Sequence, residues 1–134
     1  MNQSAATTTT AIIAALATVA PVLTGRSALD LSPEQARPFI TLQPAKDDPK
    51  DGVPVQRFRQ EWTRTLFIEV FYDAEESWDS AADTLLNALR AALVSLKGTP
   101  AFIEAIGFTP PQESSGVATL QVRAAFHYIL QFTE

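Results

Sequence analysis

The chain has 134 residues, with ten Lys and Arg against fifteen Asp and Glu and a formal net charge of −5. That length suits one domain, and the acidic balance excludes a nucleic-acid-wrapping surface, because phosphate binding needs net positive charge. With no cysteine and a single histidine, His127, there is no thiolate chemistry and no multi-histidine metal cage. Hydrophobic residues make up 46% of the chain, enough for one core. Composition points to a soluble acidic domain that is not an enzyme.

Ala11 to Ala17 has the apolar character of a signal-peptide core, yet no Lys or Arg precedes Arg26. The stretch is also broken by Thr18 and Pro21, and too short to span a bilayer of about 30 Å. Ile12, Leu16, Val19 with Ala20, and Leu23 recur at helical spacing. This predicts an amphipathic first helix ending near Pro21, capped by the hydroxyls of Thr7 to Thr10, with residues 1–7 flexible.

Ala28-Leu29-Asp30-Leu31 reads as a short edge strand, and Phe39 to Gln43 as a second strand that stops at Pro44. Residues 44–56 are rich in proline and charge, which predicts a mobile loop. From Phe58 to Tyr72 the even positions end Leu66, Ile68, Val70, Tyr72, the period-two pattern of a long strand. Phe67 and Phe71 on the odd side suggest that its second half is covered on both faces.

Ser77 reads as an N-cap for a helix whose stripe is Trp78, Ala82, Leu85, Leu86, Leu89, Ala92, Leu93 and Leu96. Lys97, Gly98 and Pro100 supply its stop signal. Pro100 to Ile106 reads as one helical turn, since Phe102, Ile103 and Ile106 share a helical face. Gly107 to Gly116 is turn-like. The last strand alternates cleanly, with Ala118, Leu120, Val122, Ala124, Phe126, Tyr128, Leu130 and Phe132 on one side. Its other side is polar and either wet or an interface. The order of elements predicts a single α+β domain, an antiparallel or mixed β-sheet with two main helices packed on it.

The two long strands pose a length problem. Fifteen extended residues span roughly 50 Å at about 3.3 Å each, against a globule diameter of roughly 35–40 Å. Each strand must either curl around the core or project beyond it, and a projecting strand offers its ladder to another chain.

Reactive chemistry is sparse. Gly25, Gly52, Gly98, Gly107 and Gly116 form no phosphate loop or dinucleotide fingerprint. His127 lies on the polar face of its strand and reads as a surface or interface residue. Asp47, Asp48 and Asp51 lack EF-hand spacing and read as a solvated loop in preference to a cation site. Arg57 and Arg59 share a strand side that excludes Arg64, so ion pairs between strands or subunits fit better than phosphate contacts. No catalytic, cofactor or metal residue is predicted.

An N-terminal helix, Gly25-Arg26, a proline-led strand and a charged loop precede the run Glu61-Trp62-Thr63-Arg64-Thr65-Leu66-Phe67-Ile68-Glu69-Val70-Phe71. A long helix, Pro100-Ala101 and a terminal strand ending Phe126-His127-Tyr128-Ile129-Leu130 follow. From roughly Thr8 to Phe132 this order resembles the tail terminator proteins of long-tailed phages, the minor tail protein U type. The resemblance implies a fold related to tail tube subunits and no cofactor. It also implies a hexameric ring that caps the tail tube, ends its polymerisation and presents the head-joining surface. The partners would be other copies of the chain, the tail tube protein and a head-completion or connector protein, with DNA passing through the lumen and no membrane. The site would be the virion, at the head-proximal end of the tail.

Interface candidates come from the residues themselves. They are Lys46, Asp47, Asp48, Lys50 and Asp51 in the loop, Arg57, Arg59, Glu61 and Thr63 on the long strand, and Gln121, Arg123 and His127 on the last. A tail tube or head–tail connector subunit is the alternative reading. A small ligand-binding or enzymatic domain is a weaker one, with no supporting constellation.

Overall fold

The computed structural model describes residues 5–31, 35–50, 59–73, 78–96, 101–111 and 116–131. Its elements are α1 (Ala5–Leu16), β1 (Val22–Thr24), α2 (Arg26–Leu29), β2 (Phe39–Pro49), β3 (Arg59–Asp73), α3 (Trp78–Val94), β4 (Ala101–Thr109) and β5 (Val117–Gln131). The strands form one mixed sheet in the order β1-β2-β3-β5-β4. β1 runs parallel to β2, and every other pairing is antiparallel. The fold is α+β, as the sequence predicts.

Helix α1 begins earlier than its threonines suggest, so Ala5 to Thr7 are helical, not flexible. The Thr9 and Thr10 hydroxyls do not cap the start; they donate to the carbonyls of Ala5 and Ala6 four residues back, at 2.7 and 2.9 Å. Thr8, Ile12 and Leu16 bury one face. The chain then turns, and Leu23 belongs to β1 with Val22, not to the helical stripe. Gly25, at φ +59°, leads into α2, a left-handed backbone conformation that favours glycine. Ala28 and Leu29 are therefore helical, where the sequence pattern predicts an edge strand: Gly25 turns the chain and Asp30 N–H bonds back to the Arg26 carbonyl at 2.9 Å.

Two further expectations are overturned. β2 does not stop at Pro44 but continues to Pro49, and Pro44 to Pro49 are strand, not mobile loop. β1 covers β2 only over Ile40 to Leu42, so Pro44 and Pro49 lie on an exposed edge where a missing N–H costs no ladder bond. A register shift between Pro44 and Lys46 absorbs the irregularity. Residues 101–106 are the first part of β4, not a helical turn, and Gly107 to Thr109 complete that strand. The outer edge of β5 needs partners for its backbone groups, and β4 supplies them from Ala101 opposite Phe126 to Thr109 opposite Thr119. The expected Ser77 cap, the Lys97-Gly98-Pro100 stop and residues 51–56 of the loop lie outside the described residues.

α1 and α3 cover one face of the sheet. Ile12 and Leu16 from α1, and Ala82, Leu86, Leu89 and Leu93 from α3, join Ile40, Leu42, Leu66, Ile68, Val70, Leu120, Val122 and Phe126 in one cluster. The predicted core sides of α3, β3 and β5 are thus the ones that pack inward. The other face of the sheet has partial cover, with Phe39 stacked on Phe71 at 4.9 Å and Phe67 half-buried.

Candidate interaction surface

β3 and β5 pair without a register shift over fifteen residues, from Arg59 opposite Gln131 to Asp73 opposite Val117. The bulges fall instead in the flanking strands, between Pro44 and Lys46 of β2 and between Ile103 and Ala105 of β4. This ribbon is roughly 50 Å long. α3, with 17 residues, is about 25 Å long at 1.5 Å per residue, half the length of the ribbon, yet the helix side of the far half is also largely covered, with Gln60 and Tyr128 buried and Trp62 and Leu130 packed against the core. Beyond Leu66 and Ala124 the sheet continues as an arm of Lys46–Pro49, Arg59–Thr65 and Ala125–Gln131, joined at its base by Ala101 and Phe102 of β4. β4 begins opposite Phe126, and among the described residues no strand pairs with the outer edge of β5 past that point.

On the helix side of the arm, Asp47, Arg64 and Tyr128 form one cluster from three strands. Arg64 grips Asp47 with Nε and Nη2, at 2.8 and 2.9 Å from the two carboxylate oxygens. The Tyr128 hydroxyl donates to Asp47 Oδ2 at 2.9 Å, and the Arg64 guanidinium lies 5.8 Å from the Tyr128 ring centre. Trp62 Nε1 donates to Gln60 Oε1 at 3.2 Å beside them. The hydrogen bonds from Arg64 hold the Asp47 carboxyl below its usual range, outweighing burial, which acts the other way. Burial, reinforced by Asp47, pushes the Tyr128 phenol up to about 12.

The opposite, open face carries the remaining polar groups. Lys46 Nζ meets Asp48 at 3.1 Å, and Lys50 Nζ meets Glu61 at 3.3 Å. Thr63 Oγ1 and His127 Nδ1 share a hydrogen bond of 2.8 Å, and Phe102 of β4 lies 5.4 Å from the His127 ring. Cross-strand pairing places Gln121 opposite Glu69 and Arg123 opposite Phe67 on that same face.

The predicted interface residues therefore divide. Lys46, Asp48, Glu61, Thr63, Gln121, Arg123 and His127 share the open face, and Lys50 reaches it through Glu61. Asp47 is on the other side, because adjacent strand residues point to opposite faces, and its carboxylate is committed to Arg64 and Tyr128. Asp47 and Asp48 thus cannot share a cation. Asp51 and Arg57 lie outside the described residues, and Arg59 is placed only by its backbone, opposite Gln131. Arg64 is an interstrand ion-pair residue, as its strand position suggests, but its partner is invisible in the sequence. Phe102 and Phe108 are both exposed; the sequence pattern puts them in a helical turn and a loop and carries no signal that marks them as surface residues.

Among the described residues no group of His, Asp or Glu is arranged to hold a metal, and no helix is long and apolar enough to cross a membrane. No family model matches the chain, and no curated relative does.

Proposed function

We propose that this protein is a structural tail protein of a long-tailed phage, a terminator that assembles as a ring of six. The ring caps the tail tube, ends its polymerisation and forms the surface that joins the head. The observation that carries the reading is the unshifted fifteen-residue β3–β5 ribbon, whose face away from the helices is polar, charged and open to other subunits. A heterologous contact repeated around a closed rotation generates a ring. Such a face, rich in long polar side chains and poor in reactive groups, suits binding to other protein subunits more than chemistry. The resemblance in the order and type of elements adds the tail tube and head-completion proteins as partners and the virion as the location. The net charge of −5 suits a lumen through which DNA slides without sticking.

Sedimentation of the purified protein over a wide concentration range tests the ring directly. Hexamers should appear with rising concentration. Asp48→Lys, at an exposed position on the open face, should shift their onset to at least about tenfold higher concentration, as expected for losing one favourable charge contact per interface, while leaving the melting temperature nearly unchanged. A chain that stays monomeric throughout argues against the ring, and indefinite tubes identify a tail tube subunit instead.

A further inference from the structure

The two edges of the sheet are protected unequally. Beyond Leu42 the outer edge of β2 carries Pro44 and Pro49, which lack a donor, and Lys46 and Lys50, whose charges oppose pairing. β4 closes the other side of the sheet, with nine residues, no proline, no basic residue and one charge, Glu104. It exposes two large aromatic side chains, Phe102 at 41% and Phe108 at 48%. An edge of this kind templates the addition of another strand.

We propose that β4 docks antiparallel on β4 of a second copy of this chain, about a two-fold axis between Glu104 and Ala105. In that register Phe102 lies opposite Gly107 of the other copy, Ala101 opposite Phe108, and Ile103 opposite Ile106. Each exposed ring therefore meets a position with little or no side chain. The bulge between Ile103 and Ala105 makes this register consistent across the two faces. Phe102 and Gly107 pair with Ala125 and Gln121 on the open face, whereas Ala101, Ile103, Ile106 and Phe108 all pair with helix-side residues of β5. A slip of one residue in either direction would set Phe102 against Ile106 or Phe108, which belong to the other face.

Charge agrees with the same register. Ala105 pairs with Arg123, so Glu104 of one copy falls in the row of Ala105 and Arg123 of the other. Two strand spacings, roughly 9.6 Å, separate the backbones of these opposite charges, and only a methyl group stands between them. The contact closes at two copies, so it is distinct from the head-to-tail contacts of a ring and goes beyond that reading.

The absence of native cysteine makes disulfide trapping a clean test. Chains carrying Glu104→Cys and chains carrying Ala105→Cys are mixed in equal amounts and oxidised. Directly opposed strand residues lie within disulfide reach, so the mixture should yield at least fivefold more cross-linked dimer than either variant alone. Adding Phe102→Lys to both should return the yield to that of the controls, with an unchanged circular dichroism spectrum. Phe102→Cys with Gly107→Cys provides a second pair; a Cβ at Gly107 would meet Gln121 Oε1, the end of a flexible side chain, at 3.0 Å. Equal yields in mixture and controls for both pairs, or yields indifferent to Phe102→Lys, would overturn the proposal. Ring size is read separately by sedimentation, so failure of the β4 contact and failure of the ring are distinguishable.

Discussion

Phe126→Ala should cost about 3–5 kcal/mol of folding stability, the usual range for truncating a fully buried aromatic side chain. Phe126 is 0% exposed and is the largest of the fully buried side chains among the described residues. It sits on β5 between Arg64 of β3 and Ala101 of β4, where the core meets the arm, and its ring lies 6.2 Å from that of Tyr128. A cavity there removes packing from both regions at once. Domains of this size have a total stability of about 5–15 kcal/mol, so the melting temperature should fall by roughly 10–20 °C. Thermal unfolding followed by circular dichroism measures it. Phe102→Ala is the control, because a side chain 41% exposed should cost under about 1 kcal/mol on truncation. Equal losses at the two positions would contradict the assigned core.

Asp47→Asn should destabilise the protein by about 2–3 kcal/mol, since it leaves the Arg64 guanidinium partly buried without its counter-charge. The pair is bidentate, and its side chains are only 24% and 30% exposed for Arg64 and Asp47. The same substitution should alter the response to acid. The Asp47 carboxyl in the folded state is depressed below its ordinary value, so the unfolded chain takes up a proton first as pH falls. The stabilisation is complete above the unfolded value of about 3.9 and is lost as pH falls through the folded one. Urea unfolding at pH 7 and at pH 3 should therefore show a larger acid loss in the wild type than in Asp47→Asn. If the two lose stability in parallel, Asp47 is not the group that ties β2 to the arm.

The parts of the fold that were legible in the sequence are those with unbroken periodicity. The stripe from Trp78 to Leu96 and the alternation from Ala118 to Tyr128 each commit their apolar residues to one face, and those faces form the core. β4 is hidden in the sequence for a physical reason. Its bulge shifts Ile106 by one position relative to Ile103, which breaks the period of two and leaves apolar residues at helical spacing. Pro44 misled similarly, because a proline that ends a central strand is tolerated on an edge. The Asp47–Arg64–Tyr128 cluster joins residues 17 and 81 positions apart, and no local pattern encodes such pairing. The charged residues of the open face were legible because alternation alone sorts Glu61, Thr63, Gln121, Arg123 and His127 from the core. Which face Asp47 joins depends on the β2 bulge, and the sequence does not announce it.

The central claim is that this chain caps a tail tube. Electron microscopy of tails assembled with and without the protein tests it most directly. With the wild-type chain, tails should have one uniform length and end in a ring of six subunits at the head-proximal tip. Without it, tube polymerisation should run on past that length, and adding the purified protein should restore both the ring and the joining of heads. Tails of normal length that join heads in its absence would contradict the account.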